Sequence, residues 1–170
     1  MNPYELQYIP MSEDEMLYYN PDAKLYTYPN LFFYTSIDDV FGHLDKIILL
    51  YLIKSFNNGH WVGLVRRGDE IDFFDSYGYN VDYQEKFITN DYLKNETGQN
   101  YKYLKFLLDN SPYKINYNKY KLQGKHTMTC GRFVTLRLLR KDLNNEEFIY
   151  RYFNNYKNNN NDLIVCELIQ

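Results

Sequence analysis

A chain of 170 residues, 45% hydrophobic and 24% charged, has enough apolar side chains for one real core; without repeats or a second composition regime, 1–170 is read as a single domain. A net charge of −3 supplies no general positive field, so nucleic acid is not expected as a partner. The 2 cysteines and the lack of an apolar leader argue for a reducing, intracellular compartment rather than a disulfide scaffold, and the longest apolar run, 47–53, is too short to cross a bilayer.

The aromatic share is 19%, with 20 Tyr and 11 Phe, which suits a core and clefts walled with rings; an AT-rich coding sequence would enrich Tyr, Asn, Lys and Ile as well. In chain order, Ser12-Glu13-Asp14-Glu15 has the form of a capping box, with Ser12 as N-cap and Glu15 reaching back, and predicts a short helix. Pro21 and Pro29 then interrupt regular structure. Ser36 opens a second helical pattern that runs toward Leu44. In the apolar run that follows and ends at Phe56, helix and strand compete.

His60 to Leu64 and Ile71 to Phe74 are short apolar segments around Arg66-Arg67-Gly68-Asp69, which predicts an antiparallel hairpin turning at Gly68-Asp69. Arg67-Gly68-Asp69 also spells an adhesion tripeptide, but it falls where a turn is needed. Tyr101 to Leu108 has helical periodicity and Ile115 to Leu122 alternates like a strand. From Cys130 an amphipathic helix is expected, with Arg132, Arg137, Arg140 and Lys141 on its solvated face. Asn145 begins a helix ending near Tyr156, Lys157 to Asp162 is low-complexity loop, and Leu163 to Ile169 is expected as a last strand.

The chemistry-bearing residues form an ordered set. Cys130 stands at a helix start before Gly131, where unpaired amides and a nearby imidazolium bring a thiol down to roughly 3.5–7.5. His60 follows the polar segment Asn57-Asn58-Gly59 at a strand end and is the candidate base. Asp75, near the end of the second strand, is expected across from it as the residue that fixes the imidazole. Asp72 is the competing carboxylate, placed on the other face of its strand. Gln123 is a candidate side-chain donor to an oxyanion, together with the Cys130 amide. Trp61, Gly59 and Gly131 are candidate substrate contacts. Cys166 sits in an apolar pattern and is read as core. His126 invites a metal reading, but 3 His and 2 Cys lack the compact spacing of a zinc site, so no metal is expected.

In GHWVGLVRRGDEIDFFDSYGYN and LQGKHTMTCGRFVTLRLL the chain resembles the adenovirus-type (adenain-like) cysteine endopeptidases, whose superfamily also holds the SUMO- and ubiquitin-like-specific proteases. The resemblance spans His60 to Leu139, roughly half the chain. The segment around Met11 to Glu15 resembles, less specifically, the lead segment of capsid-maturation proteases of virophages and large DNA viruses. The resemblance implies an α+β fold with a mixed central sheet flanked by helices and the nucleophile at the N-terminus of the central helix. It also implies cleavage after small residues, at Gly-Gly or Gly-X sites, in viral structural precursors, within the virion and host-cell cytoplasm. The adenoviral enzyme is basic and uses DNA and a disulfide-linked peptide; this chain is acidic with its second cysteine near the C-terminus, so neither cofactor is carried over. A monomer acting on protein precursors is expected, with an activating peptide or N-terminal latency left open. An isopeptidase stripping ubiquitin-like modifiers, and a catalytically dead binding module, are the alternatives.

Overall fold

The central strands are explained by which faces they bury. In the computed structural model, which describes residues 1–55, 58–154 and 160–170, the run 46–55 is a strand covered on both sides. Ile48, Leu50 and Leu52 enter one core cluster, while Ile47, Leu49 and Tyr51 enter the other. A strand buried on both faces loses the polar/apolar alternation that would separate it from a helix.

The elements run α1 (Pro3–Leu6), α2 (Glu13–Tyr19), β1 (Ala23–Thr27), a 3-10 turn (Tyr28–Phe33), α3 (Ile37–Phe41), β2 (Lys46–Ser55), β3 (Asn58–Arg67) and β4 (Glu70–Phe74). A second 3-10 turn (Tyr83–Phe87), α4 (Asp91–Thr97), α5 (Tyr103–Asp109), β5 (Lys114–Tyr117), α6 (Cys130–Leu139), α7 (Asn145–Phe153) and α8 (Asn161–Leu168) follow. The sheet is five-stranded in the order β1-β2-β3-β4-β5. Its inner pairs β2–β3 and β3–β4 are antiparallel and its outer pairs β1–β2 and β4–β5 parallel, so the fold is α+β with a mixed sheet flanked by helices. One cluster packs the sheet against α6, α7 and α8 through Phe133, Val134, Phe148, Phe153 and Val165. The other packs it against the first 3-10 turn, α3 and α5 through Tyr28, Leu31, Phe41, Leu104 and Leu108. Among the described residues no helix is long and apolar enough to cross a membrane.

Local signals behave as their chemistry requires. Ser12 and Glu15 form the reciprocal capping box of α2, and Gly68, at φ 57°, makes the β3–β4 turn. The second helical pattern stops at Phe41, where Gly42 takes a positive φ.

Four expectations are corrected. β5 ends at Tyr117, and residues 118–129 form a connecting loop. β3 begins at Asn58, so Asn58-Gly59 belongs to the strand; Phe56 and Asn57 lie outside the described residues, as do Tyr156 and Lys157 to Asn159. Leu163 to Leu168 is helix, not strand, and Ile169 is its extended C-cap; the helix begins at Asn161, so Asn161 and Asp162 do not belong to the expected loop. Asn160 accepts the Leu163 amide as N-cap, and a short apolar run without alternation satisfies either geometry. The arginines of α6 are not a solvated face. Residues 131–138 are all buried, and Arg132 donates to the carbonyls of Ile9 and Ile169 at 2.6 and 3.1 Å.

Arg137 is fully enclosed and bonds Asp72 Oδ2 at 2.8 Å, Asn145 Oδ1 at 2.9 Å and the carbonyls of Leu143 and Arg140 at 2.8 and 3.0 Å. Asp72 also takes Arg67 at 2.8 Å. A buried guanidinium stripped of its counter-charge is costly, so Asp72→Ala is expected to lower unfolding stability by about 3–5 kcal/mol. Asp69→Ala, in the exposed turn, stays within about 0.5 kcal/mol. Urea unfolding of both variants checks this; equal midpoints would contradict the role given to Asp72.

Candidate active site

The sheet's own register brings the base and acid together. His60 pairs with Tyr51 near the start of β3, and Asp75 is the first residue beyond β4. His60 Nε2 and Asp75 Oδ1 stand 2.8 Å apart, with both side chains buried. The β4–β5 ladder ends at Phe73↔Tyr117, and a side chain makes its next rung. Asn118 Oδ1 accepts the Asp75 amide at 2.9 Å while Asn118 Nδ2 donates to the Asp75 carbonyl at 2.6 Å. The carboxylate also accepts the Tyr77 amide at 2.8 Å and Gln84 Nε2 at 3.2 Å. Tyr77 lays its ring on the imidazole at 4.9 Å and 20°.

Asp72 is absent from this constellation because it faces α6 and neutralises Arg137.

Cys130, half-buried, is the first residue of α6. The His60 imidazole and the backbone N–H groups of Trp61 and Gly131 are close enough to its sulfur to favour the thiolate. Nε2 is engaged by Asp75, so Nδ1 is the ring nitrogen left for the thiol. Burial is the largest influence on His60 and opposes its charge, but the charge and hydrogen bond of Asp75, with Cys130, outweigh it and push His60 up to about 10. Burial likewise opposes the Cys130 thiolate, and the His60 bond and charge with the two backbone amides outweigh it, holding Cys130 below the ordinary thiol range. The two shifts are complementary and describe a thiolate–imidazolium pair. At Cys166 burial is the largest influence and raises the thiol, against the lowering charge of Arg132 and with the charge of Asp162 adding to the rise.

Gln123 lies in the loop before α6 and is tied to the acid's own loop. Ser76 Oγ donates to Gln123 Oε1 at 2.6 Å, and the amides of Leu122 and Gln123 both donate to the Ser76 carbonyl. Gln123 Nε2 gives one proton to the Thr127 carbonyl at 3.0 Å. An amide NH2 carries two.

The three expected substrate contacts have packing roles that the sequence did not suggest. A Cβ on Gly59 would stand 1.5 Å from the Tyr51 carbonyl oxygen, so the β2–β3 approach itself demands glycine. Trp61 is 7% exposed and belongs to the core beside α6. Gly131 is buried against Met11, Met16 and Trp61. The N-terminal segment reaches the same place, with the Gln7 carbonyl accepting the Met128 amide at 2.7 Å. Of the remaining histidines, His126 is exposed in the loop before Cys130 and His43 is exposed just beyond α3.

Sequence reasoning missed Gln84 and Asn118. Single amides in polar stretches carry no local signal; only the fold brings them to Asp75.

Compared with known proteins, the chain is 43% identical to the uncharacterized protein V9 of Sputnik virophage over 129 residues, 74% of this chain and 73% of V9. No protein-family model matches the chain.

The shifts make a signed prediction for alkylation by iodoacetamide. A depressed thiol keeps its thiolate at pH values where an ordinary cysteine near 8.5 is protonated, so Cys130 reacts at pH 6 and Cys166 lags. His60→Ala removes the dominant stabiliser and slows Cys130 at pH 6 by at least about tenfold. Mass-spectrometric rate profiles decide this; coincident wild-type and variant profiles centred on the ordinary thiol value would refute the ion pair.

Proposed function

The chain belongs to the family of the Sputnik virophage protein V9, and we propose that it is a cysteine endopeptidase that cuts viral structural precursors after small residues, at Gly-Gly or Gly-X sites, during capsid maturation. The observation that carries the reading is the buried His60–Asp75 pair at 2.8 Å, with beside it a thiol at the first position of a buried helix that the imidazole holds below the ordinary thiol range. The order His60, Asp75, Gln123, Cys130 and the helix-flanked mixed sheet agree with the adenovirus-type endopeptidase fold that the motifs resemble. A relative in a virophage supports a viral setting for the reaction.

In this reading the Cys130 thiolate attacks the scissile carbonyl carbon. The negative charge that develops on the carbonyl oxygen is met by the Cys130 backbone N–H and the second proton of Gln123 Nε2. His60 gives its Nδ1 proton to the departing amine as the C–N bond breaks, leaving a thioester on Cys130. Water then loses a proton to His60 and attacks the thioester, releasing the acid and restoring the pair. Asp75 keeps the imidazole oriented and compensates its charge throughout. His, Asp and Cys arrive here in an order unlike that of papain, so the common feature is geometry.

Purified protein is expected to turn over Gly-Gly-X peptides, with loss of activity in Cys130→Ala and a fall of roughly 10²–10³ in kcat for Gln123→Ala. A peptide library assayed beside ubiquitin-like conjugates reads both. Cleavage of conjugates alone would move the assignment to an isopeptidase; no cleavage of either, with Cys130 alkylated no faster than Cys166, would overturn the enzyme reading.

A further inference from the structure

Asp162 stands in the first turn of α8, next to an asparagine-rich run, yet it is buried. All three of its described hydrogen-bond donors come from the loop between Gln123 and Cys130. Oδ2 accepts the Gly124 amide at 2.9 Å, and Oδ1 accepts Thr127 Oγ1 at 2.9 Å together with a short bond from Thr129 Oγ1. A carboxylate so enclosed must be satisfied by its neighbours, and here those neighbours lie in the chain between Gln123 and Cys130, the two residues of the candidate oxyanion cradle.

Two consequences converge on the reacting atoms. Thr127, held at its hydroxyl by Asp162, offers its carbonyl to Gln123 Nε2 at 3.0 Å, while Ser76 holds Gln123 Oε1 at 2.6 Å. With both ends of the amide fastened, the direction of its remaining N–H is set. Thr129 is the N-cap of α6, a position whose hydroxyl normally accepts an amide of the first turn. Thr129 makes no such cap bond and donates to Asp162 instead. The amides of Gly131 and Arg132 are thereby not consumed by their own cap, and the start of α6 is held by Asp162 through Thr129 rather than by itself.

We propose that Asp162 is a positioning residue for the Gln123–Cys130 loop, holding the Gln123 amide and the uncapped start of α6 in register for oxyanion stabilisation. The inference rests on the endopeptidase reading and adds to it a part supplied by the C-terminal helix. It separates two functions of the site: His60 and Asp75 set the charge of the thiol, and Asp162 sets the geometry of the donors.

The test uses the full chain and the Gly-Gly-X peptide assay with Asp162→Ala and Asp162→Asn. Misplacing donors by about an ångström costs on the order of 10²-fold, so kcat is expected to fall by that order while KM changes less than about threefold. The Cys130 alkylation rate and its pH midpoint are expected to hold at wild-type values, a separation that general loosening of the fold would not produce. Should the Asp162 variants fail to fold, Thr127→Val is expected to lose kcat in the same way and Thr127→Ser to recover most of the loss. Unchanged kcat in these variants with an active wild type would overturn this inference alone, as would parallel loss of turnover and alkylation. An inactive wild type would overturn the endopeptidase reading, and this inference with it.

Discussion

The buried carboxylate of Asp75 is the constraint from which the rest of the candidate site follows. Burial by itself pushes an imidazole and a thiol toward their neutral forms, and both His60 and Cys130 experience that pressure as their largest single influence. A fixed negative charge 2.8 Å from His60 Nε2 reverses the outcome for the imidazole, and the charged imidazole reverses it for the thiol. An unsupported carboxylate in such a place would itself be expensive. Its support is distributed: Tyr77 and Gln84 complete its hydrogen bonding, and Asn118 fastens the main chain on both sides of it.

The helix that carries the candidate nucleophile is anchored as thoroughly, by charge as well as by packing. Arg137 is locked to Asp72 and to the segment leading into α7, while Arg132 fastens the carbonyls of Ile9 and Ile169 to the same helix. Segments near both ends of the chain therefore meet at α6, close to Cys130. A reacting group borne on a helix whose neighbours are fully hydrogen-bonded is held to tighter geometry than one on a free loop. The loop that carries Gln123 obtains comparable rigidity from Ser76 on one side and Asp162 on the other.

Local chemistry was legible and long-range satisfaction was not. The Ser12 capping box, the turn at Gly68 and the β3–β4 hairpin depend on residues within a few positions of each other, so their residue types suffice. The pairing of His60 with Asp75 was within reach for the same reason, since His60 lies on one strand of that hairpin and Asp75 just past the end of the other. Leu163 to Ile169 was misassigned because an apolar run buried on several sides has no period to read. Arg132 and Arg137 were misassigned because charged residues ordinarily mark solvent, and only their partners Ile9, Ile169 and Asp72, far off in sequence, reverse that rule.

What the sequence by itself determined is the inventory and order of reactive groups, a thiol opening a helix, an imidazole at a strand start and a carboxylate just past the hairpin, because each depends on short-range patterning. The tertiary structure alone decided which polar side chains support them. Gln84, Asn118 and Asp162 reach their positions through contacts 9, 43 and 38 residues distant in sequence. The physical reason is that a buried polar group must find its partner wherever the fold provides one, and no local pattern records where that will be.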